Sequence, residues 1–250
     1  MAGLSVGSVA PLFELPDQQD YPWSLSGQLE VGPVALVFFR GDWCHFCNGQ
    51  LASYARKFAE FERRGAQPAA VSVDPPRRNA AMVGKLRLPF PLLSDPVGEV
   101  ARAYGLWNED EKLATPSVVV VDRSGGVSYL YAGRDFADRP TDEEVFLALD
   151  DLGEPGVPGT RITRRTGGPE IRTTAVQARQ NTVSPDRRAV TLEELHSYYE
   201  GAYAATTALG GRITGFTLRK ASREVARHRA LIRAHANAAR ETSDMIRAES

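Results

Sequence analysis

Val34-Ala-Leu-Val-Phe-Phe-Arg-Gly-Asp-Trp-Cys-His-Phe-Cys47 decides the fold. The run Val34 to Phe39 is apolar without alternation, the pattern of a strand buried on both faces. Gly41 and Asp42 break it. Beyond them Phe46, Leu51, Tyr54, Phe58 and Phe61 recur at steps of three to five, which predicts a helix. Cys44 therefore falls where a buried strand hands over to a helix N-terminus. Unpaired N–H groups and the positive end of the helix dipole meet there and favour a thiolate. Such a setting takes a cysteine from a pKa of about 8.5 into the range of roughly 3.5 to 7.5. Cys47 lies one turn on, on the same face, within reach of a disulfide with Cys44.

These are the only cysteines in 250 residues. A secreted disulfide scaffold would use more of them, more widely scattered. A structural zinc site normally has four ligands, and Cys44, Cys47 and His45 lack a second pair. Two small buried apolar residues are the plain alternative, but the Cys-x-x-Cys spacing at a strand–helix junction points to redox use. The N-terminal residues show no basic region followed by an apolar core, and no run approaches a membrane span, so a cytoplasmic protein is expected.

Working outward, Gly7 to Asp17 is a short alternating segment with prolines that suits an edge strand or hairpin. Ser24-Leu-Ser26 leads into a short helix. Ala69 to Val73 is a second buried strand, and Arg64-Gly65 ends the helix before it. The strand–helix–strand unit implies a parallel pair with a right-handed crossover. Asp74-Pro-Pro76 starts a helix reaching about Leu86. Phe90 to Ser94 is short and extended, and Pro96 to Tyr104 a short helix capped by Gly105. Ser117 to Val121 and Val127 to Tyr131 form a hairpin around Asp122-Arg-Ser-Gly-Gly126. Thr141-Asp-Glu-Glu144 is a capping box for a helix to about Leu152.

Character changes at Gly153. Residues 1–152 carry 14 Lys/Arg against 21 Asp/Glu, whereas residues 153–250 carry 16 against 10. An acidic front and a basic back suggest separate jobs or mutual contact. Residues 153–190 read as a polar linker, mobile or draped over the surface. Thr191-Leu-Glu-Glu194 opens a helix expected to stop at Gly210-Gly211. A longer helix runs from near Thr217 to about Arg247. Leu218, Val225, Ile232, Ala239 and Ile246 recur in it every seven residues, which suggests pairing within the chain or between chains. Its basic residues alternate with acids and form no nucleic-acid motif. His228 and His235 share a face, where packing is favoured over metal binding.

Residues 1–152 resemble the alkyl hydroperoxide reductase/thiol-specific antioxidant family of the thioredoxin-like superfamily. The matching residues are Val6-Gly-Ser-Val-Ala-Pro-Leu-Phe-Glu-Leu15, Val37 to Cys47, Phe90-Pro-Leu-Leu-Ser-Asp-Pro96, Ala103-Tyr-Gly105, and Thr115-Pro116 with the strand and Asp122 behind it. The resemblance implies an α/β fold, a central mixed sheet flanked by helices, here with a helical extension over residues 191–250. It implies Cys44 as the attacking thiolate and Cys47 as the resolving thiol. It also implies a cis peptide before Pro116, which would offer backbone to an extended thiol substrate. The plainer reading is a trans-Pro at a strand start.

Three family positions differ. Val37 and Gly41 stand where a Pro and a Thr or Ser usually precede the reactive cysteine, and Ala114-Thr-Pro leaves no counterpart for the family's arginine. Arg40 is the candidate replacement by charge. Trp43 can shield the thiolate and, with Thr115 and Pro116, contact substrate; core filling explains Trp43 equally well. His45 can tune the pair, or simply sit exposed on the helix.

These readings converge on a two-electron thiol oxidoreductase that reduces disulfides or hydroperoxides. An external dithiol such as a thioredoxin-like protein restores the pair, without cofactor, metal, nucleic acid or membrane. The C-terminal helices would mediate homo-oligomerisation. The alternative is a non-catalytic redox sensor or assembly adaptor built on the helical tail.

Overall fold

The structure, a computed structural model, describes residues 4–153, 168–181, 183–212 and 219–249. In chain order the elements begin with β1 (Phe13–Pro16), β2 (Pro22–Ser24), α1 (Leu25–Val31), β3 (Val34–Phe38), α2 (His45–Arg56), α3 (Phe58–Arg63), β4 (Gln67–Ser72) and α4 (Pro76–Leu86). They continue with β5 (Leu92–Ser94), α5 (Glu99–Ala103), β6 (Trp107–Asn108), β7 (Leu113–Ala114), β8 (Ser117–Val121), β9 (Val127–Ala132) and α6 (Asp142–Asp150). The stretch read as a linker supplies β10 (Ile171–Arg172) and α7 (Ala175–Arg179), and the extension supplies α8 (Leu192–Arg212) and α9 (Arg219–Glu249).

The main sheet has the order β5-β4-β3-β8-β9. Strands β3, β4 and β5 run parallel, while β8 is antiparallel to β3 and β9 to β8. All five residues of β3 are buried because alternate side chains enter different cores. Ala35 and Val37 face one core with α2, α3, α4, α6 and the C-terminal helices. Val34, Leu36 and Phe38 face another with α1, α5 and β1. The apolar run thus reflects two covered faces, and it fixes Cys44 at the end of the central strand.

Local chemistry sets several boundaries as the residues suggest. Ser24 caps α1 by accepting from Gly27 N. The capping boxes at Thr141/Glu144 and Thr191/Glu194 are both formed. Three expectations need correction. The helix after the cysteines is interrupted at Lys57, which separates α2 from α3. Helix α8 does not stop at Gly210-Gly211 but continues to Arg212. Glycine weakens a helix by only about 1 kcal/mol, and here a Cβ at Gly210 would sit 3.6 Å from Val225 on α9, so the neighbouring helix supports that turn. Among the described residues no peptide is cis, so Thr115-Pro116 is trans. Thr115 N–H donates to Leu106 O (2.6 Å) and Pro116 O accepts from Gly133 N (2.8 Å), the pattern of a proline entering a strand.

The extension lies against the front domain. Strand β1 pairs antiparallel with β2, the expected hairpin, but it is not an edge, because β10 pairs parallel on its other side. Arg78 donates to Pro185 O (2.9 Å) and Arg187 O (2.6 Å), and Lys85 donates to Val190 O (2.7 Å). Helices α8 and α9 pack on each other and on α2. Leu231, Ile232, Ala238 and Ala239, the middle of the seven-residue stripe, are buried there, whereas Met245 near its end is 42% exposed. The stripe's first member, Leu218, and the expected helix start near Thr217 lie outside the described residues.

Candidate active site

Cys44 is the N-cap of α2, and its Sγ accepts from Cys47 N (3.3 Å). The loop before it needs Gly41. Its φ of +142° is rarely adopted by other residues, and a Cβ there would lie 2.8 Å from Trp43 Nε1 and 3.0 Å from Asp74 Oδ2. The hydroxyl side chain usual at this position in the family therefore has no room. Asn48 ties the loop to the helix, donating to Asp42 O (2.9 Å) and Cys44 O (2.8 Å).

Both sulfurs are free thiols inside the protein, with Cys44 4% exposed and Cys47 0%. Their main charged neighbour is one that sequence reasoning missed. Arg139, 1% exposed, places Nη2 3.0 Å from Cys47 Sγ and 3.8 Å from Cys44 Sγ. Its other bonds go to Gln50 Oε1 (2.8 Å) and Phe136 O (3.2 Å), which aim the guanidinium at the sulfurs. Cys47 Sγ also accepts from Arg40 N (3.4 Å).

The two sulfurs titrate as a coupled pair. Burial, together with the hydrogen bond to Cys47, pushes the Cys44 thiol well above its ordinary value. Burial works against Cys47 too, but the hydrogen bond from Cys44, the Arg139 charge and the Arg40 N–H bring it down to about 6. Arg139, within reach of both sulfurs, thus favours one negative charge shared by the reduced pair. The helix N-terminus at Cys44 favours an anion, and burial opposes it.

The other expected site residues are dispersed. Arg40 bonds Cys47 through its backbone, while its guanidinium pairs with Glu111 (2.5 Å), so its charge is neutralised away from the thiols. Trp43 is half-buried between the guanidinium groups of Arg40 (4.9 Å) and Arg187 (4.1 Å), and with His45 and Tyr198 it lines a surface groove. His45 stacks on Tyr198 (4.3 Å), and burial lowers its pKa. Thr115 and Pro116 stand at the same sheet end as the cysteines, since Ser117 pairs with Phe38. Their backbone bonds go to Leu106 and Gly133.

Asp42 points into a buried cluster with Asp74, Arg78 (3.8 Å) and Ser184. Burial, then the Asp74 charge, raises it to about 6. A carboxyl raised on folding favours the fold below its unfolded pKa, and that contribution is lost as pH climbs through about 6. Asp42→Asn is accordingly expected to stabilise the protein by about 1–3 kcal/mol at pH 8 and not at pH 4. Thermal unfolding at the two pH values checks this; equal melting shifts at both would contradict it.

The cover on the pair comes from α8 and α9. Tyr199 Oη donates to His45 O (3.0 Å) and meets His235 Nδ1 at 3.0 Å. Both side chains sit on Gly49 of α2, where a Cβ would overlap Tyr199 Oη and lie 2.8 Å from His235 Cβ. His228 stacks on Phe46 (5.7 Å). Gly49 is thus a point of close approach between the cysteine helix and the extension.

A strand–Cys-x-x-Cys–helix junction on a mixed thioredoxin-type sheet, with a buried arginine on the sulfurs, defines a thiol oxidoreductase of the peroxiredoxin type. Residues 6–130 match the profile of the AhpC/TSA family, and the chain belongs to that family. It is similar to alkyl hydroperoxide reductase E of Mycobacterium tuberculosis, 38% identical over 128 residues that span 50% of this chain and 84% of the relative. Peroxiredoxin Q of Sedum lineare, a chloroplast protein, is 29% identical over 147 residues, 58% of this chain and 78% of the relative. Among solved structures, the peroxidoxin BcpB of M. tuberculosis superposes with a TM-score of 0.54 at 29% identity, covering 60% of this chain and 96% of that one. The family match stops at residue 130, ahead of Arg139 and the C-terminal helices. No helix among the described residues is long and apolar enough to cross a membrane.

Proposed function

We propose that this chain is a thiol peroxidase that reduces a hydroperoxide with Cys44 and Cys47 and is restored by an external dithiol of the thioredoxin type. The observation that carries this reading is the enclosure of both sulfurs with Arg139 as their charged neighbour. Such enclosure favours a small hydroperoxide over the disulfide of a folded protein, which must reach the attacked sulfur in line. The names of the relatives support the same chemistry.

In the first step the Cys44 proton moves to Cys47 as the Cys44 sulfur attacks the distal peroxide oxygen. An S–O bond forms, the O–O bond breaks, and the alkoxide takes the proton held on Cys47. Arg139 touches both sulfurs, so the negative charge changes sulfur without losing its partner, and the same guanidinium is placed to stabilise the departing oxygen. In the second step the Cys47 thiolate attacks the Cys44 sulfenic sulfur: the S–S bond forms, the S–O bond breaks, and the hydroxide leaves as water with one proton from solvent. The two sulfurs lose two electrons and the peroxide gains them. Trp43, His45, Thr115 and Pro116 then act around the pair as contacts for peroxide or reductant. The middle of the α9 stripe that suggested pairing packs within this chain, so α8 and α9 act here as a cover.

Cumene hydroperoxide consumption and insulin-disulfide reduction, measured side by side for the native chain and Cys44→Ser, test the reading. Peroxide loss that vanishes with Cys44→Ser, and slow insulin reduction, are expected. Fast insulin reduction with no peroxide loss would replace it by thiol–disulfide exchange.

A further inference from the structure

The extension carries a buried histidine that the chemistry above does not use. His235, on α9, is 0% exposed and rests on Gly49 of the cysteine helix. Its proton can be placed by hydrogen-bond chemistry. A phenol has one O–H, and Tyr199 Oη donates it to His45 O (3.0 Å), which can only accept. Nδ1 of His235, 3.0 Å from the same Oη, is therefore the donor to it. Nε2 is left as a bare lone pair, and among the described residues it has no partner. Such a buried acceptor costs about 1–3 kcal/mol. A second orphan belongs to the same site. Arg139 reaches Gln50, Phe136 O and both sulfurs through Nη1 and Nη2, whereas its Nε–H, also buried, has no partner among the described residues. Of the charges acting on His235, that of Arg139 is the largest, and Arg139, Cys44 and Cys47 all act on Tyr199. One free donor and one free acceptor thus stand beside the thiols. In the loop before Cys44, Gly41 has no side chain, Trp43 can only donate, and the Asp42 carboxyl lies with Asp74 and Arg78.

We propose that His235 is a substrate-orienting residue: its Nε2 accepts the terminal O–H of a hydroperoxide while Arg139 Nε–H donates to the peroxide oxygens, which holds the terminal oxygen against Cys44. A hydroperoxide carries that donor and that acceptor on adjacent oxygens; a disulfide has no O–H to give. The assignment rests on the thiol-peroxidase reading and extends it to a residue beyond the family match. The O–H bond stays intact as Cys44 attacks, because the S–O bond forms at the oxygen that bears it while the O–O bond breaks. His235 therefore neither takes nor gives a proton, and the alkoxide still takes the one held on Cys47. Burial, then the Arg139 charge, push the imidazole well below its ordinary pKa, so Nε2 remains an acceptor at neutral pH.

Two substitutions in the full chain separate the ring nitrogens. A glutamine amide reaches the place of Nε2, and an asparagine amide that of Nδ1. His235→Asn should react with cumene hydroperoxide at least about tenfold more slowly than the native chain, and His235→Gln within about threefold of it. Alkylation of the reduced pair by iodoacetamide needs the thiolate but no oriented peroxide, so it should differ less than about twofold among the three proteins. An unslowed His235→Asn overturns the proposal, as does a glutamine variant as slow as the asparagine one. A loss shared by iodoacetamide marks a merely structural role and overturns it too. Nitrogen-15 NMR of the native chain labelled at histidine keeps the test independent of how the variants fold. His235 should carry its proton on Nδ1, and a proton on Nε2 instead would refute the assignment. A native chain that consumes no hydroperoxide removes the thiol-peroxidase reading and this proposal together, whereas failures confined to the His235 measurements leave that reading in place.

Discussion

Replacing Arg139 by methionine is expected to slow reaction with hydroperoxide at least about 30-fold at pH 7. With Cys47 at about 6 the pair is mostly ionised at neutral pH. Without the guanidinium the two sulfurs keep the burial that raises them and lose the cation that opposes it. The pair then titrates at or above an ordinary thiol value of about 8.5, leaving only a few per cent of the anion at pH 7. The pH profile separates this from a merely structural loss. The native rate should rise through pH about 6 and level off, whereas the variant should keep rising above pH about 8.5. Stability follows the same linkage. A thiol lowered on folding contributes fully above its unfolded pKa of about 8.5 and loses that contribution as pH falls through the folded value of about 6. Stopped-flow rates between pH 5 and 9 decide the matter; an unmoved limb in Arg139→Met would assign ionisation to the helix N-terminus alone.

The second large effect separates the two cysteines. Cys44→Ser should react with hydroperoxide no faster than buffer, since the sulfur at the mouth of the site is gone. Cys47→Ser should still form a sulfenic acid at Cys44, trapped by dimedone, but never an intramolecular disulfide. Its first step should slow as well, because a serine hydroxyl neither holds the anion beside Arg139 nor accepts the Cys44 proton near neutral pH. Mass spectrometry of each variant after one equivalent of peroxide reads the outcome. A sulfenic acid at Cys47 in Cys44→Ser would exchange the two roles, a result the charge on Cys47 makes worth testing directly.

Much of the frame could be read from residues whose chemistry is local. An unbroken apolar run names a doubly covered strand, Ser24 and the two Thr–Glu boxes name helix starts, and Asp122 to Gly126 names a hairpin. What locality could not show is the cover. A helix N-terminus at Cys44 argues for a thiolate there, but the rings packed over the start of α2, Tyr198 on His45 and Tyr199 bonded to His45 O, come from over 150 residues downstream. Arg139 was invisible for a related reason. It sits in Asp138-Arg-Pro140, ahead of a capping box, where an arginine normally faces water. Only the β3-β8-β9 order folds that loop back over the cysteines. The extension showed its stripe but not its target. Gly49 looks like one small residue in a helix until two side chains from α8 and α9 occupy the space its Cβ would take.

Gly49 and its two occupants are also far apart in the order of synthesis. The sheet and α2 are complete by α6, while Tyr199 and His235 emerge much later. Domains fold as their segments leave the ribosome, so the nascent chain carries its reactive sulfurs bare until the last helix arrives. Premature termination within α8 or α9 would therefore release a folded front half with unguarded thiols, open to overoxidation and to mixed disulfides with whatever lies nearby.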